Sequence, residues 1–178
     1  TQGRFKGGIT SVATDIINNN DFFIENNIEI VPFSNCFVAR NYKTMGKLSL
    51  KNVANFLIYK KELKKKVRET DFDAIYIHTS VKNALLKDLI VAKHFVKKYK
   101  VYLHIHMCGI ENILPKNKIL RKTIIKFFNK KIKKIIFLSS STQQEFVNLG
   151  LNPDKSVVIY NFINKFPSKH SKGILSVN

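Results

Sequence analysis

The sequence predicts an α/β protein, a parallel sheet covered by helices on both faces. Three observations carry this expectation. Strand-like and helix-like segments alternate from Ala74 to Tyr160. The strand segments are short and apolar on both faces, the pattern of strands buried between helix layers. The chain has 178 residues, 44% of them hydrophobic, with only 7 Gly and 4 Pro, enough to bury one core of ordinary domain size.

Taken in order, Thr1 to Gly8 is basic and glycine-rich and reads as a loop running into a helix over Ile9 to Ile17. Ile28, Ile30, Val31 and Phe33 suggest a strand ended by Pro32 and Ser34-Asn35, and the segment to Gly46 has no period and reads as loop. From Leu48, apolar Leu50, Val53, Leu57, Leu63 and Val67 recur on one helical face, with Lys60, Lys61, Lys64, Lys65 and Lys66 on the solvent side, and this helix ends near Thr70. Ala74 to His78 is β-branched and aromatic and predicts a strand, followed by Thr79-Ser80 as N-cap candidates for a helix starting near Lys82. In that helix Leu85, Leu89, Ala92, Val96 and Tyr99 form the stripe expected to face the sheet. Val101 to His106 is the next strand. A helix over Ile119 to Ile132, a strand over Ile135 to Leu138, a helix over Thr142 to Leu149 closed by Gly150, and a strand over Val157 to Tyr160 complete the alternation.

This order is Rossmann-like. In such a fold a strand precedes the glycine-rich loop, so the first strand is expected to be missing ahead of Thr1. Residues 1–164 read as one domain. Residues 165–178 read as a basic linker over Lys165 to Lys172 and the opening strand of a further domain at Gly173-Ile174-Leu175-Ser176-Val177.

Composition narrows the function. With 31 Lys and Arg against 12 Asp and Glu, the formal net charge is +19, which implies an anionic partner: nucleic acid, acidic lipid or a phosphorylated substrate. Cys36 and Cys108 form no C-x-x-C, so neither a disulfide framework nor a zinc ribbon is signalled, and a reducing compartment fits best. No apolar run approaches the roughly 18 residues of a membrane span.

Gly7 and Gly8 precede a helix, where exposed backbone N–H groups and the helix dipole favour an anion such as a diphosphate. Neither G-x-G-x-x-G nor G-x-x-x-x-G-K-[ST] is present, and an ordinary basic terminus is the competing reading. His104 and His106 lie two apart on one strand and point to one face, and His106 falls at the carboxyl end, where α/β sheets present ligands. His78 ends the preceding strand in the same way. These residues with Cys108 are zinc-type ligands by chemistry, but no acidic partner and no metal-type spacing accompanies them, so no metal is expected. His104 reads as a buried core residue and His106 as a substrate contact. Asp71-Phe72-Asp73 imitates a metal-holding D-x-D but precedes its strand, at the edge opposite the ligand crevice, and reads as a turn. Between Lys116 and Lys134 stand nine basic residues and no acid, with Lys118, Arg121, Lys122, Lys126 and Lys130 among them. That helix suits an anionic membrane surface, although Leu120, Ile124, Phe127 and Phe128 also make a core stripe.

These landmarks together resemble the amino-terminal, acceptor-side domain of family four GT-B glycosyltransferases, over nearly the whole chain. Lys6-Gly7-Gly8-Ile9 is similar to the family's glycine loop. Asp73 to His78 resembles its strand ending in histidine, and Val101 to His106 the strand whose last histidine enters the active site. Ile136-Phe137-Leu138-Ser139, the helix ending at Leu149-Gly150, and Val158-Ile159-Tyr160-Asn161 resemble the closing motifs. The resemblance implies one half of a GT-B fold in an enzyme that moves a sugar from a nucleotide-sugar donor to a glycan or lipid-linked acceptor, with retention at the anomeric carbon and no metal ion or other cofactor. It implies that Gly7 and Gly8 approach the donor diphosphate and that His106 hydrogen-bonds the reacting sugar region. His78, Ser139 and Asn161 would line the crevice. The context it implies is bacterial surface polysaccharide synthesis in the cytoplasm, peripheral on the inner face of the cell membrane.

The family's E-x7-E segment belongs to a carboxyl-terminal domain that these residues lack, and Glu62 and Glu69, on the lysine-rich helix, are no substitute. Residues 1–178 alone are therefore expected to be inactive. Two other readings compete. A nucleic-acid-binding domain would suit the charge, but no helix-turn-helix, RNP-type aromatic pair, zinc finger or GXXG clamp appears, so nucleic acid is an unlikely partner. A non-catalytic membrane-associated subunit completed by a partner chain is the third.

Overall fold

The computed structural model describes residues 8–33 and 50–160. The elements in chain order are α1 (Gly8–Asn18), α2 (Asn20–Glu25), α3 (Leu50–Glu69), β1 (Ala74–Thr79), α4 (Lys82–Phe95), β2 (Lys100–Ile105), α5 (Ile110–Ile113), α6 (Lys118–Lys131), β3 (Lys134–Phe137), α7 (Ser140–Asn148) and β4 (Ser156–Val158). The strands form a four-stranded sheet in the order β1-β2-β3-β4, every pair parallel. The expected α/β, Rossmann-like class is met.

Sequential order and right-handed crossovers lay the connecting helices α4, α6 and α7 over the same face of the sheet. The strand residues on that face are buried: Val101, Leu103, Ile105, Ile135 and Phe137 are all solvent-inaccessible. They meet Leu85, Val91 and Ala92 of α4, Ile124, Ile125 and Phe128 of α6, and Phe146 of α7 in one core. Phe137 and Phe146 stand 4.9 Å apart between ring centroids, and Phe128 and Phe146 6.3 Å. Burying each such ring stabilises the fold by about 1.5–3 kcal/mol. The helix α3 is tied to the turn between α4 and β2, where the Tyr99 hydroxyl donates to the Val67 carbonyl at 3.5 Å.

Several sequence expectations are corrected. Residues 28–33 carry no strand, since no strand of the described residues pairs with them. The preceding residues instead form α2, which ends through Asn27 in the left-handed region at φ +56°. The residue at the N-cap of α4 is Val81, without a side-chain cap, because Thr79 is drawn into β1 and buried. The buried stripe of α4 includes Asp88, Val91 and Phe95, with Leu89 and Val96 only half-buried at its border. The last strand is shorter and earlier than Val157 to Tyr160, and β2 stops at Ile105. His106 nevertheless continues the ladder by one bond, its N–H donating to the Thr79 carbonyl at 2.8 Å.

Candidate functional site

Register builds the site. Parallel pairing sets Tyr76 opposite Tyr102 and His78 opposite His104. Side chains alternate along a strand, so Tyr76, His78, Tyr102, His104 and His106 all project from the face opposite the crossover helices. The imidazoles of His104 and His106 lie 3.9 Å apart between centroids, and His78 stacks on His106 at 5.0 Å. His78 Nδ1 and His106 Nε2 share a proton across 2.7 Å, one donating and the other accepting. The Tyr76 hydroxyl meets His104 Nδ1 at 2.6 Å.

His104 is 4% exposed, and among the described residues its Nε2 has no hydrogen-bond partner. Burial, with the neighbouring imidazoles His106 and His78 adding to it, pushes its pKa down to about 3. Burial followed by the charge of His78 lowers His106 to about 4, and burial lowers His78. The physical cause is common: an imidazolium withdrawn from water beside other imidazoles is doubly penalised. Burial raises Tyr76 to about 12, so its hydroxyl keeps its proton. At neutral pH the cluster is a set of uncharged donors and acceptors at the carboxyl edge of a parallel sheet, suited to hydrogen-bonding a polyhydroxylated ligand.

The loop behind His106 is held by residues that sequence reasoning missed. Gly109 N–H donates to Thr142 Oγ1 at 3.1 Å, and Ile110 N–H donates to Glu145 Oε2 at 2.7 Å. Both acceptors lie on α7, so that helix anchors the loop and the four-residue α5 after it. Gly109 has φ +78°, a conformation open to glycine at little cost. The available signal was Gly109 itself, just past a strand end.

The other expected residues fall as follows. Gly8 is the first residue of α1; Gly7 and Asn161 lie outside the described residues. Ser139 sits past the end of β3 but is occupied as the N-cap of α7, its Oγ accepting from the Thr142 N–H at 3.3 Å and donating to Thr142 Oγ1 at 2.9 Å. Its hydroxyl therefore holds a helix end beside the carboxyl edge of the sheet. Asp71 pairs with Lys98 at 3.6 Å ahead of β1, far along the strand from the histidines, in keeping with a turn. On α6, Lys118, Lys122, Lys126 and Lys130 are exposed at steps of one turn, with Ile119 78% exposed beside them. Arg121 departs from this row: it is half-buried and its Nε donates to the Pro115 carbonyl at 2.6 Å.

Such a sheet, with ligand-type side chains at its carboxyl edge, is of the Rossmann-like class. Crystal structures of Anabaena Alr3699/HepE, in complex with UDP-glucose and with UDP and glucose, share it at a TM-score of 0.51 and 19% identity. The match covers 92% of this chain and 43% of the HepE chain. No curated protein matches. The family model for Glycosyltransferase Family 4 matches residues 33–165, and the chain belongs to that family.

Proposed function

We propose that this chain is the acceptor-side half of a retaining glycosyltransferase that uses a nucleotide-linked sugar. The observation that carries the proposal is His106, a neutral imidazole at the carboxyl edge of the sheet whose ring is set by His78 at 2.7 Å. From that position it hydrogen-bonds the reacting sugar. Neutral donors fixed in place stabilise charge developing on the departing group without reorganising in the transition state. Gly8, the first residue of α1, and Gly7 before it in the sequence approach the donor diphosphate. The HepE complexes with UDP-glucose make a UDP-sugar the first donor to try.

Transfer in this reading needs no metal ion. The acceptor is a glycan or a lipid-linked saccharide, and the lysine row of α6 holds the protein at the anionic inner face of a bacterial membrane, where surface polysaccharide is assembled. The activity belongs to the longer protein of which residues 1–164 are one domain and 165–178 the passage to the next. The test is transfer from radiolabelled UDP-sugars to a membrane extract by the full-length protein in the presence of a chelator. Chelator-resistant transfer that falls roughly 30-fold to 1000-fold in His106→Ala is expected. No transfer with any donor, or unchanged turnover in His106→Ala, refutes it.

A further inference from the structure

We propose that His78, His104 and His106 form a binding site for a borderline divalent cation, Zn²⁺. The inference stands on geometry and does not require the transferase reading. One potential ligand nitrogen from each of the three rings lies within 4.8 Å of the other two. Two of the rings come from positions two apart, at the end of β2 and just beyond it, and the third from the register partner on β1. Rigid paired strands thus present three imidazoles to one point.

A tetrahedral zinc with Zn–N of about 2.0–2.1 Å places its ligand nitrogens roughly 3.3 Å from one another. The His78–His106 pair, now 2.7 Å apart, must open slightly, and the remaining separations must close within the 4.8 Å limit. Changes of that size are within reach of side-chain rotation. Three histidines leave the fourth position free for water or a substrate oxygen, the arrangement of an open zinc site.

The orphaned Nε2 of His104 points the same way. A buried ring nitrogen without a partner costs free energy, which coordination recovers. If Nδ1–H donates to the Tyr76 oxygen, at 2.6 Å, then Nε2 carries the lone pair a metal needs. The Tyr76 oxygen then fixes the tautomer of the ligating imidazole, the outer-partner role that a carboxylate, carbonyl or water takes in most histidine metal sites. Among the described residues the cluster is three imidazoles with no carboxylate, so it selects an imidazole-seeking cation over Mg²⁺ or Ca²⁺. Where the transferase reading also holds, zinc on His106 removes the contact to sugar, so Zn²⁺ inhibits rather than assists transfer.

The experiment is titration of chelator-stripped, desalted chain with Zn²⁺ by calorimetry and with Co²⁺ by visible absorption. One equivalent of Zn²⁺, a tetrahedral Co²⁺ spectrum displaced by Zn²⁺, and no displacement by excess Mg²⁺ are expected. His78→Ala abolishes the Co²⁺ spectrum, Tyr76→Phe weakens binding about 10- to 100-fold, and His94→Ala leaves it unchanged. Should the variants fold poorly, ring-nitrogen NMR of the unaltered chain gives the same answer, with His78, His104 and His106 shifting together on zinc addition. Binding that survives His78→Ala, ring signals of His94 or His170 shifting in place of these, or no binding at 100-fold excess overturns the site. Failure of the transfer assay leaves this result untouched.

Discussion

At the scale of single residues, His104 and His106 share a strand and a face but have different surroundings. His104 is enclosed and bonded to Tyr76, while His106 stands beyond the last residue of β2 and is half-buried. Replacing His104 with Ala leaves a void and strips the Tyr76 hydroxyl of its partner, and is expected to cost about 1–3 kcal/mol of stability. His106→Ala is expected to leave the melting temperature nearly unchanged and to act on turnover. Paired thermal melts and turnover in the full-length protein check the contrast, and a larger turnover loss at His104 would remove His106 from its role. Gly109 supplies a third residue-level expectation. A Cβ there finds ordinary space, its nearest neighbour being Asn112 Nδ2 at 3.5 Å, but φ +78° penalises any L side chain. Gly109→Ala should cost about 1–2 kcal/mol, paid largely as disorder of the loop behind His106. Faster amide exchange at Gly109 and Ile110 reports it, and unchanged exchange would show that the loop tolerates the substitution.

Among the elements, α6 has two faces with separate consequences. Ile124, Ile125 and Phe128 are buried, so the helix is anchored whether or not a membrane is present. Its exposed row of Lys118, Lys122, Lys126 and Lys130 offers about 1 kcal/mol per lysine at an anionic bilayer. The chain is expected to co-sediment with anionic vesicles at low salt, to dissociate as salt shortens the screening length, and to bind weakly once those four lysines are changed to Gln. Arg121→Gln, by contrast, removes the bond to Pro115 and should change stability more than lipid binding. Equal sedimentation with neutral and anionic vesicles would end the membrane reading.

For the whole molecule, the buried imidazoles set a pH dependence. Their ordinary pKa near 6.5 in the unfolded chain is lowered in the fold, to about 3 for His104 and about 4 for His106. Below about pH 6.5 the unfolded chain takes up protons that the folded one refuses, so stability falls with falling pH. The decline runs from about 6.5 down through 4 and levels only near 3. Tyr76, the hydroxyl against His104, does not titrate there, since burial holds its pKa at about 12. Thermal melts between pH 7.5 and 4 in chelator should show the slope, and it should be shallower in His78→Asn. A flat profile would mean that the rings are better hydrated than their packing indicates.

Local sequence determined the elements, and with them the class. Helical spacing marked α3, α4, α6 and α7, and short β-branched runs marked β1, β2 and β3, because each pattern reflects which side chains must leave water along one segment. The histidines were legible individually by the same logic, as residues at the ends of strands. Their union was not: it depends on the register that pairs His78 with His104, which is set by packing across the sheet. Tertiary structure alone likewise recruited Thr142 and Glu145 behind His106 and left residues 28–33 with no strand to join among the described residues. Thr142 and Glu145 stand 33 and 35 residues along the chain from the N–H groups they hold, and a periodicity read over ten or fifteen residues holds no record of such a partner.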